Sequence, residues 1–156
     1  MNKIGIDKIW VLRLGSVFLG VEPKALKEVL EVTQLTPIPL APPPLLGLLS
    51  NQGRIVSVFD LSQVLQIPPT GSDLAALLEV EGQAIAFTID EVTGLRTNLS
   101  GTWATPSQEP LFSAVLEDGG KSIRILNPSS LLAHLTARIS AAAPAPAPAI
   151  RTTPFT

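Results

Sequence analysis

The chain has 156 residues, of which 46% are hydrophobic, and a formal net charge of −2 at pH 7. It contains no cysteine and a single histidine, which excludes disulfides, cysteine nucleophiles and multi-histidine metal sites. With a pI near 5.3, it lacks the positive field that binding to phosphates requires, so we expect no nucleic-acid partner. No stretch reaches the roughly 20 apolar residues that span a bilayer, which predicts no membrane insertion and a cytoplasmic location.

The first predicted element is a β-hairpin. Apolar and polar residues alternate over residues 10–14, Gly15-Ser16 offers a tight turn, and residues 17–21 form a second apolar run. This pattern is typical of two antiparallel strands.

A helix and a rigid connector are predicted next. Pro23 suits a helix start, and Leu26, Val29 and Leu30 follow the i, i+3, i+4 spacing of an amphipathic helix. Five prolines over residues 37–44 then remove backbone donors and fix φ. We expect that segment to be a stiff extended connector on the surface.

Residues 47–65 combine a turn, a strand and a helical turn. Residues 50–53 form a polar turn that ends in glycine, and residues 55–59 are a β-branched and aromatic run. Asp60 closes this strand, where a carboxylate usually caps a turn by accepting backbone N–H groups. The apolar residues of 61–65 then fit one helical turn.

The second half of the chain predicts two more hairpins and a final helix. Residues 74–79 and 83–89 flank one short connection, and residues 111–117 and 121–126 flank an Asp-Gly-Gly turn. Between them, residues 94–110 are predicted to be mostly loop, with one possible strand over 96–99. Asn127 and Pro128 predict a helix start. The apolar stripe of that helix consists of Leu131, Leu132, Leu135 and Ile139.

This pattern predicts one folded domain followed by a tail. The domain covers residues 9–139, and the Ala/Pro-rich composition of residues 140–156 predicts a disordered tail, because such a segment buries too little apolar surface to offset its ordering entropy. The hairpin-rich halves before and after residues 66–73 suggest two similar small barrels.

Catalytic chemistry has few candidates here. Asp90 and Glu91 are adjacent carboxylates, which we expect to point to opposite faces of a strand, and Asp60 is better suited to capping than to proton transfer. His134 lies among apolar helix residues, which favours a packing or surface role. No phosphate-binding glycine motif is present. A small hydrolase using Asp60, Asp90 and Glu91 is therefore the weakest hypothesis, and the prediction is that the protein is not an enzyme and needs no metal or cofactor.

The segment from Gly47 to Leu61 resembles the CheW-like family of chemotaxis coupling proteins. Members of that family carry a glycine, two apolar residues, an Asn-Leu-Arg-Gly turn and a strand of the type Ile-Val-Pro-Val-Ile-Asp-Leu. The matching residues are Gly47, Gly53, Asp60 and Leu61, and the departures are Ser50, Asn51, Gln52 and Ser57. Further similarities over residues 20–42, 85–92 and 111–128 extend the resemblance to roughly residues 9–137.

The resemblance implies a mainly β fold with two SH3-like barrel subdomains that share a hydrophobic core, short helices and a C-terminal helix. It implies a non-enzymatic adaptor that couples a methyl-accepting chemoreceptor to a CheA-type histidine kinase in a chemotaxis or pilus motility array. Other CheW-like domains are further candidate partners. Carried over by position, the partner-binding residues are Leu26, Glu28, Val29, Gly47, Leu48, Asn51, Gln52 and Gly53.

Position 52 departs from the family in its charge. The family usually has Arg there, whereas Gln52 keeps hydrogen bonding but loses the cation, so that Glu28 lacks the counter-charge expected of it. The mean hydropathy of +0.37 with only 15% charged residues is consistent with a protein-binding face. An alternative function is that of a small SH3-like β-barrel module binding RNA or ribosomal partners, which the low basic charge disfavours.

Overall fold

Two β-sheets form most of the structure, a computed structural model that describes residues 6–32, 35–37, 44–68, 73–104 and 111–142. The first sheet contains β1 (Ile9–Leu14), β2 (Val17–Val21), β8 (Glu91–Arg96), β9 (Thr102–Ala104), β10 (Phe112–Asp118) and β11 (Lys121–Leu126). The second contains β3 (Leu26–Glu31), β4 (Leu45–Asn51), β5 (Arg54–Phe59), β6 (Leu74–Val80) and β7 (Gln83–Ile89). Two helices complete the fold, α1 (Leu61–Leu65) and α2 (Pro128–Ala142).

The second sheet is inserted into the first along the chain. The strand orders are β8-β1-β2-β11-β10-β9 and β3-β6-β7-β5-β4, with the parallel pairs β2–β11 and β5–β7. The second sheet is thus continuous in sequence, while the first uses strands from both sides of it. The expectation of one barrel on each side of residues 66–73 is wrong, because the β6–β7 hairpin pairs with β3 and β5 rather than with later strands.

Three hydrophobic clusters account for the core. One lies inside the first sheet and includes Ile9, Leu116 and Ile125, and a second lies inside the second sheet around Val58 and Ala86. The largest cluster lies between the sheets. It includes Leu12, Leu14, Leu19, Phe59, Leu61, Leu78, Phe87, Ile89, Leu131 and Leu135. Each large side chain buried in this way contributes about 1.5–3 kcal/mol, so the shared core joins the two barrels into one folding unit.

Both helices begin where the sequence predicts. The Asp60 carboxylate accepts hydrogen bonds from the Ser62 backbone N at 3.0 Å and from Ser62 Oγ at 2.6 Å, which confirms Asp60 as the cap of α1. At the start of α2, Asn127 Oδ1 accepts a hydrogen bond from the Ser130 N at 3.2 Å, and Pro128 is the first helical residue. The three hairpins β1–β2, β6–β7 and β10–β11 are likewise confirmed.

The predicted amphipathic helix at residues 26–30 is wrong, because this segment is the edge strand β3. A bulge between Leu26 and Glu28 shifts the register against β6. Leu26 and Val29 consequently lie opposite residues of the shared core, while Glu28 and Leu30 lie opposite residues from the interior of the second sheet. The bulge therefore places residues three apart on one face, which imitates the helical spacing.

The region predicted to be mostly loop, residues 94–110, contains the end of one strand and all of another. β8 begins before it and ends at Arg96, and β9 follows after a gap, so the predicted strand over 96–99 is misplaced. Gly94 lies at a bulge of β8 opposite Val11 and Leu12, and this bulge interrupts the apolar alternation by which a strand is predicted from sequence.

Several sequence predictions fall outside the described residues. These are most of the proline-rich connector and the tail from residue 143 onward, whereas residues 140–142 belong to α2. In the described parts of the chain, neither helix has the length and apolarity needed to cross a membrane. The domain boundaries stay a prediction.

Candidate partner-binding surface

A tight turn joins β4 to β5 at the centre of the predicted surface. Gln52 and Gly53 have φ values of 53° and 79°, both in the left-handed region, and Asn51 pairs with Arg54 across them. Positive φ at both central residues defines a type I′ turn, which matches the twist of a hairpin. The side chains of Asn51 and Arg54 therefore lie on the same face of the hairpin, whereas Gln52 is exposed at its tip.

A side-chain hydrogen bond links the two edge strands of the second sheet. Asn51 Nδ2 on β4 donates to Glu28 Oε2 on β3 at 3.2 Å. Nearby, Thr36 and Leu48 exchange two backbone hydrogen bonds, of 2.8 and 2.9 Å, on the outer edge of β4. These contacts bridge the gap between the edges, so the second sheet curls into a barrel around its own core.

The mouth of this barrel carries a shallow groove of about 290 Å³. We call it the mouth groove, and define it by Lys27, Glu28, Asn51, Gln52, Arg54, Val56, Leu77, Glu79 and Ala84. Two cations share one carboxylate there, because Lys27 Nζ lies 3.2 Å from Glu79 Oε1 and Arg54 Nη1 lies 3.6 Å from Glu79 Oε2. The hydrogen bond and charge of Lys27, with a smaller contribution from Arg54, lower the pKa of the Glu79 carboxyl.

Glu28 forms none of the salt bridges found among the described residues. Its carboxylate accepts instead from the neutral amide of Asn51. The sequence expectation that Glu28 lacks a counter-charge from position 52 agrees with this geometry. Arg54, two residues after position 52, pairs with Glu79 in the same groove.

A second groove, of about 300 Å³, runs between the two barrels. We call it the inter-barrel groove, and define it by Trp10, Leu26, Lys27, Glu28, Val29 and Val92. Val29 is 37% exposed, and Leu95, which pairs with Trp10 across β1 and β8, is 42% exposed. Apolar side chains at this exposure, next to a half-buried tryptophan, form a hydrophobic strip beside the edge strand β3.

Gly47 shapes the surface without being exposed on it. A Cβ atom at this position would lie 2.6 Å from the Thr36 carbonyl oxygen and 2.9 Å from Leu35 Cγ. Only glycine allows the 35–37 segment to approach β4 this closely. Leu48 is half-buried beside the same segment.

The structure thus divides the predicted residues among three places. Asn51 and Gln52 line the mouth groove with Gly53 beside them in the turn, Leu26 and Val29 line the inter-barrel groove, and Glu28 lines both grooves. Gly47 and Leu48 support β4 from its edge. Their role in partner binding stays a prediction.

Sequence reasoning did not single out the other lining residues of the two grooves. Trp10, Val92 and Arg54 come from three strands that only the tertiary fold brings close to β3. The single sequence signal was a tryptophan near the start of a strand whose other residues are aliphatic except for Arg13.

The carboxylates considered for catalysis have structural partners. Arg13 Nη1 lies 3.4 Å from Asp90 Oδ2, and Arg13 Nε lies 3.1 Å from Glu91 Oε2. The Gly15 N also donates to Asp90 Oδ2 at 2.7 Å. The expectation that Asp90 and Glu91 point apart is wrong, because both carboxylates contact Arg13. Asp90 lies at the junction of β7 and β8, where the chain passes between the sheets, so the alternation of a continuous strand does not apply to this pair. No group of three potential metal ligands occurs within the described ranges.

This architecture defines a class of β-domain in which two small barrels pack around a common core, with two surface grooves beside β3. A model of the CheW-like domain matches residues 8–136, and the chain belongs to this family.

Two similar proteins agree with this membership. Over 136 residues the chain is 30% identical to protein FrzA of Myxococcus xanthus. The aligned region covers 81% of this chain and 85% of FrzA. The crystal structure of the scaffolding protein TtCheW from Thermoanaerobacter tengcongensis shares the fold with a TM-score of 0.69 at 22% identity. That match covers 78% of this chain and 88% of TtCheW.

Proposed function

We propose that the protein is a non-enzymatic adaptor that couples a methyl-accepting chemoreceptor to a CheA-type histidine kinase in a chemotaxis or motility array. The observation that carries the proposal is the match to the CheW-like domain over residues 8–136, combined with two grooves of different composition that meet at Lys27 and Glu28 of β3. An adaptor needs two surfaces that can be occupied at the same time. The similarity to FrzA and to a scaffolding protein supports the same role.

The inter-barrel groove suits an amphipathic helix of the receptor. Its apolar lining, with Trp10, Val29 and Val92, offers contacts to side chains that recur at helical spacing, as in other helix-in-groove interfaces. Lys27 and Glu28 at its edge supply polar contacts that fix the orientation of the helix. Tryptophan in a partly exposed groove is also a typical binding hot spot.

The mouth groove and the β4–β5 turn suit the kinase. Glu28, Asn51 and Gln52 offer hydrogen-bonding groups of both kinds on one face, and the type I′ turn holds them in place. The share of polar groups there is higher than in the inter-barrel groove, which gives the two partners chemically different surfaces.

Binding assays with charge substitutions test the proposal. Val29→Asp places a charge in the apolar groove and should weaken binding to a helical receptor fragment about tenfold or more, because the carboxylate would be desolvated on binding. Ile55→Asp is the matched control, since Ile55 is an exposed apolar strand residue, 67% accessible, that lines neither groove.

Affinity should be measured by calorimetry with the receptor fragment and, separately, with the kinase. The proposal requires that Val29→Asp loses the receptor but retains the kinase, and that Ile55→Asp retains the receptor. Equal receptor affinity for both variants would contradict the assignment of the inter-barrel groove. Failure of the unmodified protein to bind either partner would refute the adaptor function.

A further inference from the structure

From the geometry of the mouth groove we infer that Arg54 is the residue with which this protein binds an acidic side chain of its kinase partner. The inference rests on the proposed function and goes beyond it, because it names the chemistry of the contact and moves the cation from position 52 to position 54.

The first step concerns the position of the cation in the mouth groove. Asn51, Gln52 and Arg54 all line the mouth groove, but the type I′ turn places Gln52 at its tip, whereas Arg54 pairs with Asn51 at the base of the turn. Asn51 in turn holds Glu28. A positive charge at residue 54 therefore lies within the predicted surface, beside the two residues that define its polar face.

The second step concerns availability. Arg54 contacts Glu79 at 3.6 Å through one nitrogen, and its side chain remains 52% exposed. Lys27 approaches the other oxygen of the same carboxylate at 3.2 Å. Glu79 therefore keeps a partner when Arg54 turns away, so exchanging Glu79 for a carboxylate of the kinase leaves no charge unpaired. Arginine can engage the incoming carboxylate with two parallel hydrogen bonds, which it does not form with Glu79.

The third step concerns the sign of the partner. At the Glu79 end of the groove two cations face one carboxylate, which leaves an excess of positive charge. At the other end, the Glu28 carboxylate already accepts a hydrogen bond from Asn51. A partner carboxylate thus finds an unsaturated cation. An extended polyanion such as RNA is disfavoured, because Glu28 and Glu79 line the same groove.

Calorimetry with the kinase at low and high salt tests the inference. Arg54→Gln should weaken binding about tenfold to a hundredfold, the range of a charge-assisted hydrogen bond, and should flatten the dependence on salt. Arg54→Lys should restore part of the affinity. The double variant Gln52→Arg with Arg54→Gln keeps the net charge but moves it to the turn tip, and should remain weak.

Lys8→Gln removes the same charge at an exposed residue ahead of β1 and should leave affinity unchanged. Wild-type affinity of Arg54→Gln would overturn the inference, because Arg54 would then make no contact with the kinase. Full affinity of the double variant would also overturn it, since net charge alone would then be sufficient.

A second measurement separates this inference from the adaptor function. In the absence of kinase, a short glutamate-rich peptide at low salt should shift the Arg54 side-chain NMR signal, and a lysine-rich peptide should not. A protein that responds to the acidic peptide but fails to bind the kinase would refute the proposed function and show that Arg54 takes its carboxylate from a different partner. An unshifted signal would overturn the inference even if the kinase binds.

Discussion

Gly47 illustrates how one residue can control a binding surface from beneath it. The Thr36 carbonyl oxygen occupies the space where a side chain at position 47 would begin, and the same threonine exchanges two hydrogen bonds with Leu48. A substitution there must displace the 35–37 segment from β4. A loss of binding in such a variant would therefore report an altered fold as well as an altered interface.

Gly47→Ala should lower the free energy of unfolding by about 1–3 kcal/mol, the usual range for overpacking. Urea denaturation measures the effect. Gly53→Ala is the control, since a Cβ there meets nothing within 4 Å and only the positive φ opposes it, at about 1 kcal/mol. A Gly47→Ala protein with wild-type stability would show that the segment over β4 is not packed as described.

The backbone conformation of Gln52 limits which side chains are favourable at this position. Its φ of 53° is uncommon for a residue with a long side chain, and the next residue is glycine. Because Asn-Gly is the favoured pair for a type I′ turn, Gln52→Asn should stabilise the protein by about 0.5–1 kcal/mol. Gln83→Asn, at an exposed strand position with ordinary φ, should bring no gain in the same urea titration. Equal effects at both positions would contradict the turn assignment.

At the scale of elements, the sequence predicts whatever local chemistry determines. The hairpins, the Asp60 cap and the start of α2 depend on neighbouring residues, and all of them are confirmed. The prediction for β3 was wrong because the bulge of this strand depends on its pairing with β6, which lies more than forty residues later. The site follows this division: the turn at Gln52 and Gly53 was predictable, whereas the nearness of Trp10 and Arg54 to β3 depends on strand order.

Helix α2 carries a group that should make stability depend on pH. His134 is half-buried on α2, and its Nε2 atom is buried without a hydrogen-bond partner in the described part of the chain. Burial lowers the pKa of His134 below its ordinary value of 6.5, and the charge of Arg138 lowers it further. Below pH 6.5 the unfolded chain therefore takes up a proton before the folded one does.

The free energy of unfolding should fall as pH drops from about 6.5 toward the lower pKa of the folded state, and the decline should end below that pKa. His134→Gln should remove this dependence, which is a clean comparison because the sequence has no other histidine. Arg138→Gln should weaken it. Urea titrations across this pH range would contradict the assignment if the wild-type and His134→Gln curves had the same slope.

At the scale of the whole molecule, the shared core determines how the barrels unfold. The cluster between the sheets contains more buried residues than either barrel interior, and it includes residues from both sheets and both helices. Neither barrel can lose its packing without exposing part of this cluster. We therefore expect one cooperative transition, as in other small domains with a single core.

A cavity in one barrel should accordingly lower the stability of the other barrel as well. Leu77 is buried inside the second barrel, and Leu77→Ala should lower the free energy of unfolding by about 2–5 kcal/mol. Both tryptophans, Trp10 and Trp103, belong to strands of the first sheet, so fluorescence reports on the barrel that is not mutated. Amide hydrogen exchange in β6 and β7 reports on the second barrel.

The urea midpoints from the two probes should shift by the same amount, because the shared core transmits the loss of stability. A fluorescence midpoint that stays at the wild-type value, while β6 and β7 lose protection earlier, would mean that the barrels unfold independently and that the shared core does not couple them.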